Sequence, residues 1–187
     1  GLRQVVRLAT RFLDNVIDIN RYPIPEIEAI AKANRKIGLG VMGFADALYD
    51  LGIAYDSKEG VQFGEDLMTL VNDESHAESQ KLAGERGAFP NWKGSAWEKR
   101  GIPMRNACTT TVAPTGTISI IANCASGIEP LFSLVFFRNV LDGQRLAEVN
   151  REFEDVAKER GFFNAGLMER IGRDGSVQHL SELLDDI

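Results

Sequence analysis

The chain has 187 residues, 44% of them hydrophobic and 26% charged, the balance of a globular protein large enough to bury a core. Its net charge of −6 argues against a nucleic-acid partner, which would need a basic stripe that the sequence does not show. No apolar run reaches the roughly 20 residues that span a membrane. Its two cysteines, Cys108 and Cys124, lack C-x-x-C spacing, so they form neither a disulfide framework nor a zinc site and suit a reducing cytoplasm.

Leu2, Val5, Val6, Ala9, Phe12, Leu13, Val16 and Ile17 recur at three- and four-residue steps and predict an amphipathic helix with a wide buried face. Asn20 to Pro23 breaks it, and Pro25 opens a second helix carrying Ile27, Ile30, Ala31 and Asn34. Ile37, Leu39 and Val41 alternate with Gly38 and Gly40, which suits a short strand in a crowded sheet or barrel. A helix from about Phe44 to Leu51 follows, stopped by Gly52. Gly38, Gly40 and Gly43 also have the G-x-G-x-x-G spacing of a dinucleotide site. They come too early in the strand-to-helix transition, however, and no acidic ribose ligand ends a second strand about 20 residues on. Close backbone packing is the better reading of these glycines.

Ser57 caps a long helix to about Glu85, with Phe63, Leu67, Leu70, Val71 and Leu82 on its inner face and His76 as a solvated surface group. Trp92 and Trp97 read as packing anchors in a loop with a short helix. Asn106 to Ala113, with three consecutive threonines, predicts a strand in which Cys108 is buried and inert.

Pro114-Thr115-Gly116-Thr117-Ile118-Ser119 then reads as a strand end, a tight turn and a helix start. Pro114 ends the extended run because it lacks an N–H, and Gly116 permits a conformation that a side chain resists. Thr115, Thr117 and Ser119 set hydroxyls beside the unpaired N–H groups of the new helix, which makes a candidate anion site. The stretch is not a Walker loop, in which a lysine follows the second glycine, so a phosphate here would be held by N–H groups and hydroxyls, as an anchor for chemistry elsewhere on the ligand. A plain capped turn, worth about 1 kcal/mol to the helix, would use the same residues.

After the short helix Ile118 to Ala122 comes a second turn, Ala125 to Pro130. There Glu129 is either a turn carboxylate or a polar site residue, and Cys124 beside it reads as inert. Leu131 to Val140 predicts a buried strand ended by Asp142-Gly143. Leu146, Val149, Phe153, Val156 and Ala157 predict a helix closed by Gly161, with a short helix around Ala165 to Ile171. Leu180, Leu183, Leu184 and Ile187 begin another.

Three stretches together resemble the large catalytic chain of ribonucleotide reductases: Arg35 to Leu48 (RKIGLGVMGFADAL), Arg105 to Ser119 (RNACTTTVAPTGTIS) and Ser126 to Pro130 (SGIEP). PTGTIS, followed by SGIEPLF and RNVLDG, is most similar to the adenosylcobalamin-dependent, class II branch. The resemblance implies a helix-rich α/β fold in which residues 1–187 form one part of a ten-stranded α/β barrel, cut at both ends. It implies that Pro114, Thr115, Gly116, Thr117, Ile118 and Ser119 bind the phosphates of a ribonucleoside di- or triphosphate at a helix N-terminus.

The implied reaction makes deoxyribonucleotides by replacing the ribose 2′-hydroxyl with hydrogen. Homolysis of the cobalt–carbon bond of adenosylcobalamin generates a thiyl radical that takes the 3′-hydrogen, and a cysteine pair, recharged by a thioredoxin-type reductant, supplies electrons. The family's N-x-C-x-E finger-loop pattern does not occur in this sequence, and Cys108 and Cys124 match none of the family's catalytic cysteines. The expectation is therefore a parent reductase whose radical cysteines lie in the remainder of the same polypeptide, with this piece inactive alone. A non-catalytic nucleotide-binding module and a structural helical module are the alternatives.

Overall fold

The computed structural model describes residues 1–131, 133–139, 145–177, 180 and 183. These form α1 (Leu2–Ile19), α2 (Pro25–Asn34), α3 (Phe44–Asp50), α4 (Lys58–Arg86), a 3-10 turn (Pro90–Trp92), α5 (Ala96–Lys99), α6 (Gly116–Ala122), β1 (Val135–Asn139), β2 (Arg145–Val149), α7 (Arg151–Glu159) and α8 (Ala165–Asp174). They divide into two compact units, Gly1–Met42 with Asp56–Thr115, and Gly43–Tyr55 with Gly116–Ile187. No helix among the described residues is long and apolar enough to cross a membrane.

The expected segment of a ten-stranded α/β barrel is not found among the described residues; the fold is helix-rich. Among the described residues β1 and β2 pair antiparallel, with Val135 opposite Val149, and the remaining pairing is an isolated parallel bridge between Leu39 and Thr110. The two predicted strands around that bridge do run together, but their register slips. Ile37 N–H donates to the Cys108 carbonyl at 3.0 Å and Leu39 N–H to the Thr109 carbonyl at 2.8 Å. Two residues on one side thus match one on the other, which is a bulge and interrupts the ladder. Cys108, expected to be buried, is exposed there.

In the first unit α1 packs on α4. The buried face of α1 is Val6, Thr10, Asp14 and Ile17, narrower than predicted, while Leu2, Val5, Leu8 and Phe12 stay exposed. Arg3 and Arg7 pair with Glu74, and Arg11 with Glu78 and Glu85, so ion pairs along α1 and α4 supplement the apolar contact. Asp14 is fully buried and takes up Arg35 at 2.8 Å, Arg86 at 3.1 Å, Arg105 at 3.4 Å and the Asn106 amide at 3.0 Å. A buried carboxylate is tolerable only with such partners.

The inner face of α4 is more polar than predicted, with Glu74, Ser75, Glu78 and Ser79 buried beside Val71 and Leu82. Segment 105–110 explains the serines. Ser79 Oγ donates to Asn106 Oδ1 at 2.9 Å and accepts the Asn106 N–H at 3.0 Å, and Ser75 bonds Thr109 at 2.8 Å. His76 is half-buried rather than solvated, its ring edge-on to Trp97 at 5.1 Å, and burial lowers its pKa. Trp92 and Trp97 are the anchors expected, donating to the Ile102 and Ala107 carbonyls.

In the second unit a core of Val135, Phe153, Ala157, Leu167, Met168 and Ile171 joins the hairpin to α7 and α8. Leu146 and Val149, predicted as helix, belong to β2, because α7 starts only where Asn150 Oδ1 accepts the Phe153 N–H at 3.0 Å. Leu180 and Leu183 pack against this core. Val140, the Asp142-Gly143 turn, Leu184 and Ile187 lie outside the described residues.

Candidate functional site

The glycine-rich stretch is settled by packing. A Cβ on Gly38 would lie 2.8 Å from Thr111 Cγ2, and one on Gly40 would lie 2.8 Å from the Thr111 carbonyl oxygen. Gly43 does something different: at φ +73° it caps the start of α3 in a left-handed conformation that favours glycine. Its N–H donates to the Ala125 carbonyl at 2.9 Å, and Asp46, the third residue of α3, accepts the Ala125 N–H through Oδ2 at 2.6 Å. The first turn of α3 thus takes both backbone groups of Ala125. Farther along, the Tyr55 hydroxyl donates to the Ile128 carbonyl at 2.7 Å, with its ring edge-on to Phe44. The turn from Asn123 to Ile128 is therefore fixed to segment 43–55 at both ends.

That turn in turn holds α6. Ser119, only 3% exposed, shares a hydrogen bond with Ser126 at 2.9 Å and donates to the Gly116 carbonyl at 3.2 Å. Cys124 N–H donates to the Ser119 carbonyl at 3.1 Å. The other residues of the predicted turn face outward: Pro114, Gly116, Thr117 and Ile118 are exposed, and Thr115 is half-buried. Thr115 takes φ +46°, a left-handed conformation that a β-branched residue rarely adopts and that is found mainly where function requires it. A left-handed residue ahead of helical ones turns consecutive N–H groups the same way, a concavity suited to anions. The N–H groups of the first turn of α6 have no helical carbonyl to bond. With seven residues α6 has little dipole to offer, so directional N–H groups carry any anion affinity.

Gly116 and Ser119 line a cavity of about 390 Å³ with Asp46, Cys124, Ser126, Glu129, Phe136, Asn150 and Arg151. That volume suits one small molecule. Glu129 is thereby placed on the wall of the cavity beside the turn. Arg151, which sequence reasoning passed over, also lines the cavity, its exposed guanidinium 3.9 Å from Asp155; its position after Asn150, a good helix cap, was the signal available. Asp46 and Ser126 were also passed over, since each acts through a partner distant in sequence or inside the other turn. The Cys124 thiol is raised above its ordinary pKa by burial and then by the Asp46 carboxylate, so it stays protonated and inert near neutrality. Among the described residues no three His, Cys, Asp or Glu side chains gather to hold a metal ion.

A small-molecule cavity beside a turn of exposed N–H groups is the class of site this chain presents. The sequence profile of the family described as "Ribonucleotide reductase, barrel domain" matches residues 1–102 and 99–187, and the chain belongs to that family. It is 55% identical over 179 residues to a vitamin B12-dependent ribonucleoside-diphosphate reductase of Thermoplasma acidophilum, covering 96% of this chain and 23% of that protein. A protein of the same description from Mycobacterium tuberculosis is 49% identical over 177 residues, 95% of this chain and 25% of the relative. Among solved structures, the alpha subunit of an Actinobacillus ureae class Id ribonucleotide reductase is similar with a TM-score of 0.78 and 28% identity, over 97% of this chain and 33% of that one. The chain spans about a quarter of the length of the curated relatives it matches.

Proposed function

We propose that this chain is part of a ribonucleoside-diphosphate reductase and that Pro114 to Ser119 holds the phosphates of the substrate. The observation that carries the reading is the left-handed Thr115 ahead of the exposed first turn of α6, whose Gly116 lines a cavity together with Glu129 and Arg151. The names of the B12-dependent relatives support both the substrate class and the branch. In the reaction proposed for the whole polypeptide, the ribose 2′-hydroxyl leaves as water and is replaced by hydrogen. Two thiols become a disulfide in the same event, and a thioredoxin-type reductant returns them to thiols.

Adenosylcobalamin, when bound by such an enzyme, supplies the radical that starts this chemistry. The two cavities formed by described residues do not fit that group. Cavities of about 390 and 380 Å³ suit a drug-sized ligand rather than a corrinoid. The contribution of this chain is confined to the substrate: N–H groups of Gly116, Thr117 and Ile118 and the Thr117 hydroxyl bind phosphate oxygens, Arg151 offsets their charge, and Ser119 holds the turn in place. The remaining steps belong to the remainder of the polypeptide.

The test is turnover. The whole polypeptide, given adenosylcobalamin, a dithiol and a ribonucleoside diphosphate, is expected to yield the deoxyribonucleoside diphosphate, while residues 1–187 alone yield none. No product from the whole polypeptide, or product from residues 1–187 alone, contradicts the proposal.

A further inference from the structure

Asp46 belongs to α3, far in sequence from the turn proposed to bind phosphate, and the reaction gives it no part. Yet it is one of the residues that line the cavity. A negative charge there opposes a phosphate, so its presence calls for a compensating use. Its hydrogen bonds supply one. Asp46 Oδ2 accepts the Ala125 N–H at 2.6 Å, and the next residue, Ser126, meets Ser119 at 2.9 Å. Ser119 in turn donates to the carbonyl of Gly116, the first residue of α6, at 3.2 Å. The path runs from α3 to the start of α6 in three hydrogen bonds, all within one compact unit.

We infer that Asp46 is a positioning residue for the phosphate turn, acting through Ala125, Ser126 and Ser119 to fix the direction of the N–H groups of Gly116 to Ile118. The inference rests on the phosphate reading given above. A carboxylate does this better than a neutral acceptor because a charge-assisted N–H···O⁻ bond is shorter and stronger. Gly43 completes the grip by taking the Ala125 carbonyl, so Ala125 cannot rotate while Asp46 is bound. An asparagine would keep an acceptor at the same place and remove the charge that opposes the ligand.

The experiment measures Kd for a ribonucleoside diphosphate and for the same ribonucleoside without phosphate, in the whole reductase polypeptide. The variants are Asp46→Ala, Asp46→Asn, Ser126→Ala and a turn variant, Thr117→Val with Ser119→Ala. Asp46→Ala is expected to weaken the diphosphate roughly three- to tenfold, the range set by one lost hydrogen bond, and to leave the phosphate-free ribonucleoside within about twofold. Asp46→Asn is expected to restore diphosphate affinity. A merely structural role would lower both ligands together, and a charge effect would make the alanine and asparagine variants alike; either result overturns the inference. If the turn variant weakens the diphosphate and Asp46→Ala does not, the inference fails while the phosphate reading stands. If the turn variant changes nothing, the phosphate reading fails and takes the inference with it. Should Asp46→Ala not fold, Ser126→Ala breaks the same path one bond later, and an unchanged diphosphate Kd there overturns the inference.

Discussion

Ser119 and Ser126 share a hydrogen bond of 2.9 Å, and its direction follows from a proton count. Ser119 spends its one hydroxyl proton on the Gly116 carbonyl, so Ser126 is the donor and Ser119 the acceptor. Ser119 is therefore the junction of two turns that both carry family motifs. Ser119→Ala and Ser126→Ala should each destabilise the protein by about 1 kcal/mol, and the double variant by clearly less than their sum. Urea unfolding of the four proteins of this cycle measures the coupling; strict additivity would mean the two hydroxyls do not interact.

Asp14 is the most demanding residue of the first unit. With no exposure, its carboxylate depends on Arg35, Arg86, Arg105 and Asn106, which bring three separate stretches of chain to α1. Asp14→Ala leaves a buried Arg35 short of its partner and is expected to cost about 3–5 kcal/mol. Asp18 also bonds Arg35, but its side chain is 48% exposed, and Asp18→Ala should cost no more than about 1 kcal/mol. Comparable losses for the two variants, measured by urea unfolding, would show that burial does not set the difference.

Glu74 offers a test in pH. The hydrogen bond from Arg3, then that from Arg7, hold its carboxyl below its ordinary value of 4.5. A depressed carboxylate contributes stability that is present above the unfolded-state pKa and is lost as pH falls through the folded-state pKa. Stability should therefore be level from pH 7 to about 5 as far as this group is concerned, and should fall below 4.5. Glu74→Gln should make the acid limb shallower; an unchanged acid limb in that variant would remove Glu74 from the account.

What could be read from the sequence was what local chemistry decides. Pro25 opens α2, and Ser57 caps α4 by accepting the Gly60 N–H at 3.0 Å, as their types require. The presence of α6 was readable too, though it starts at Gly116, two residues ahead of the expected Ile118. The segment from Leu146 to Val149 was not, because two apolar residues three apart fit a helix face, whereas pairing with Val135 to Asn139, which no local spacing shows, makes it a strand. The polar inner face of α4 was hidden because Ser75 and Ser79 are satisfied by Thr109 and Asn106, about thirty residues away. Asp46 and Ala125 are 79 positions apart, so no spacing rule could have paired them. The barrel implied by family resemblance is not found among the described residues, where the strands around Leu39 and Thr110 meet in a single bridge with a slipped register.

The central claim is that Pro114 to Ser119 holds the substrate's phosphates. A crystal structure of the whole reductase polypeptide with a ribonucleoside diphosphate bound tests it most directly. The account predicts a phosphate oxygen within hydrogen-bonding distance, about 2.7–3.2 Å, of backbone nitrogens of Gly116, Thr117 or Ile118, with Asp46 still bonded to Ala125. A diphosphate seated elsewhere, with that turn bare, would contradict it.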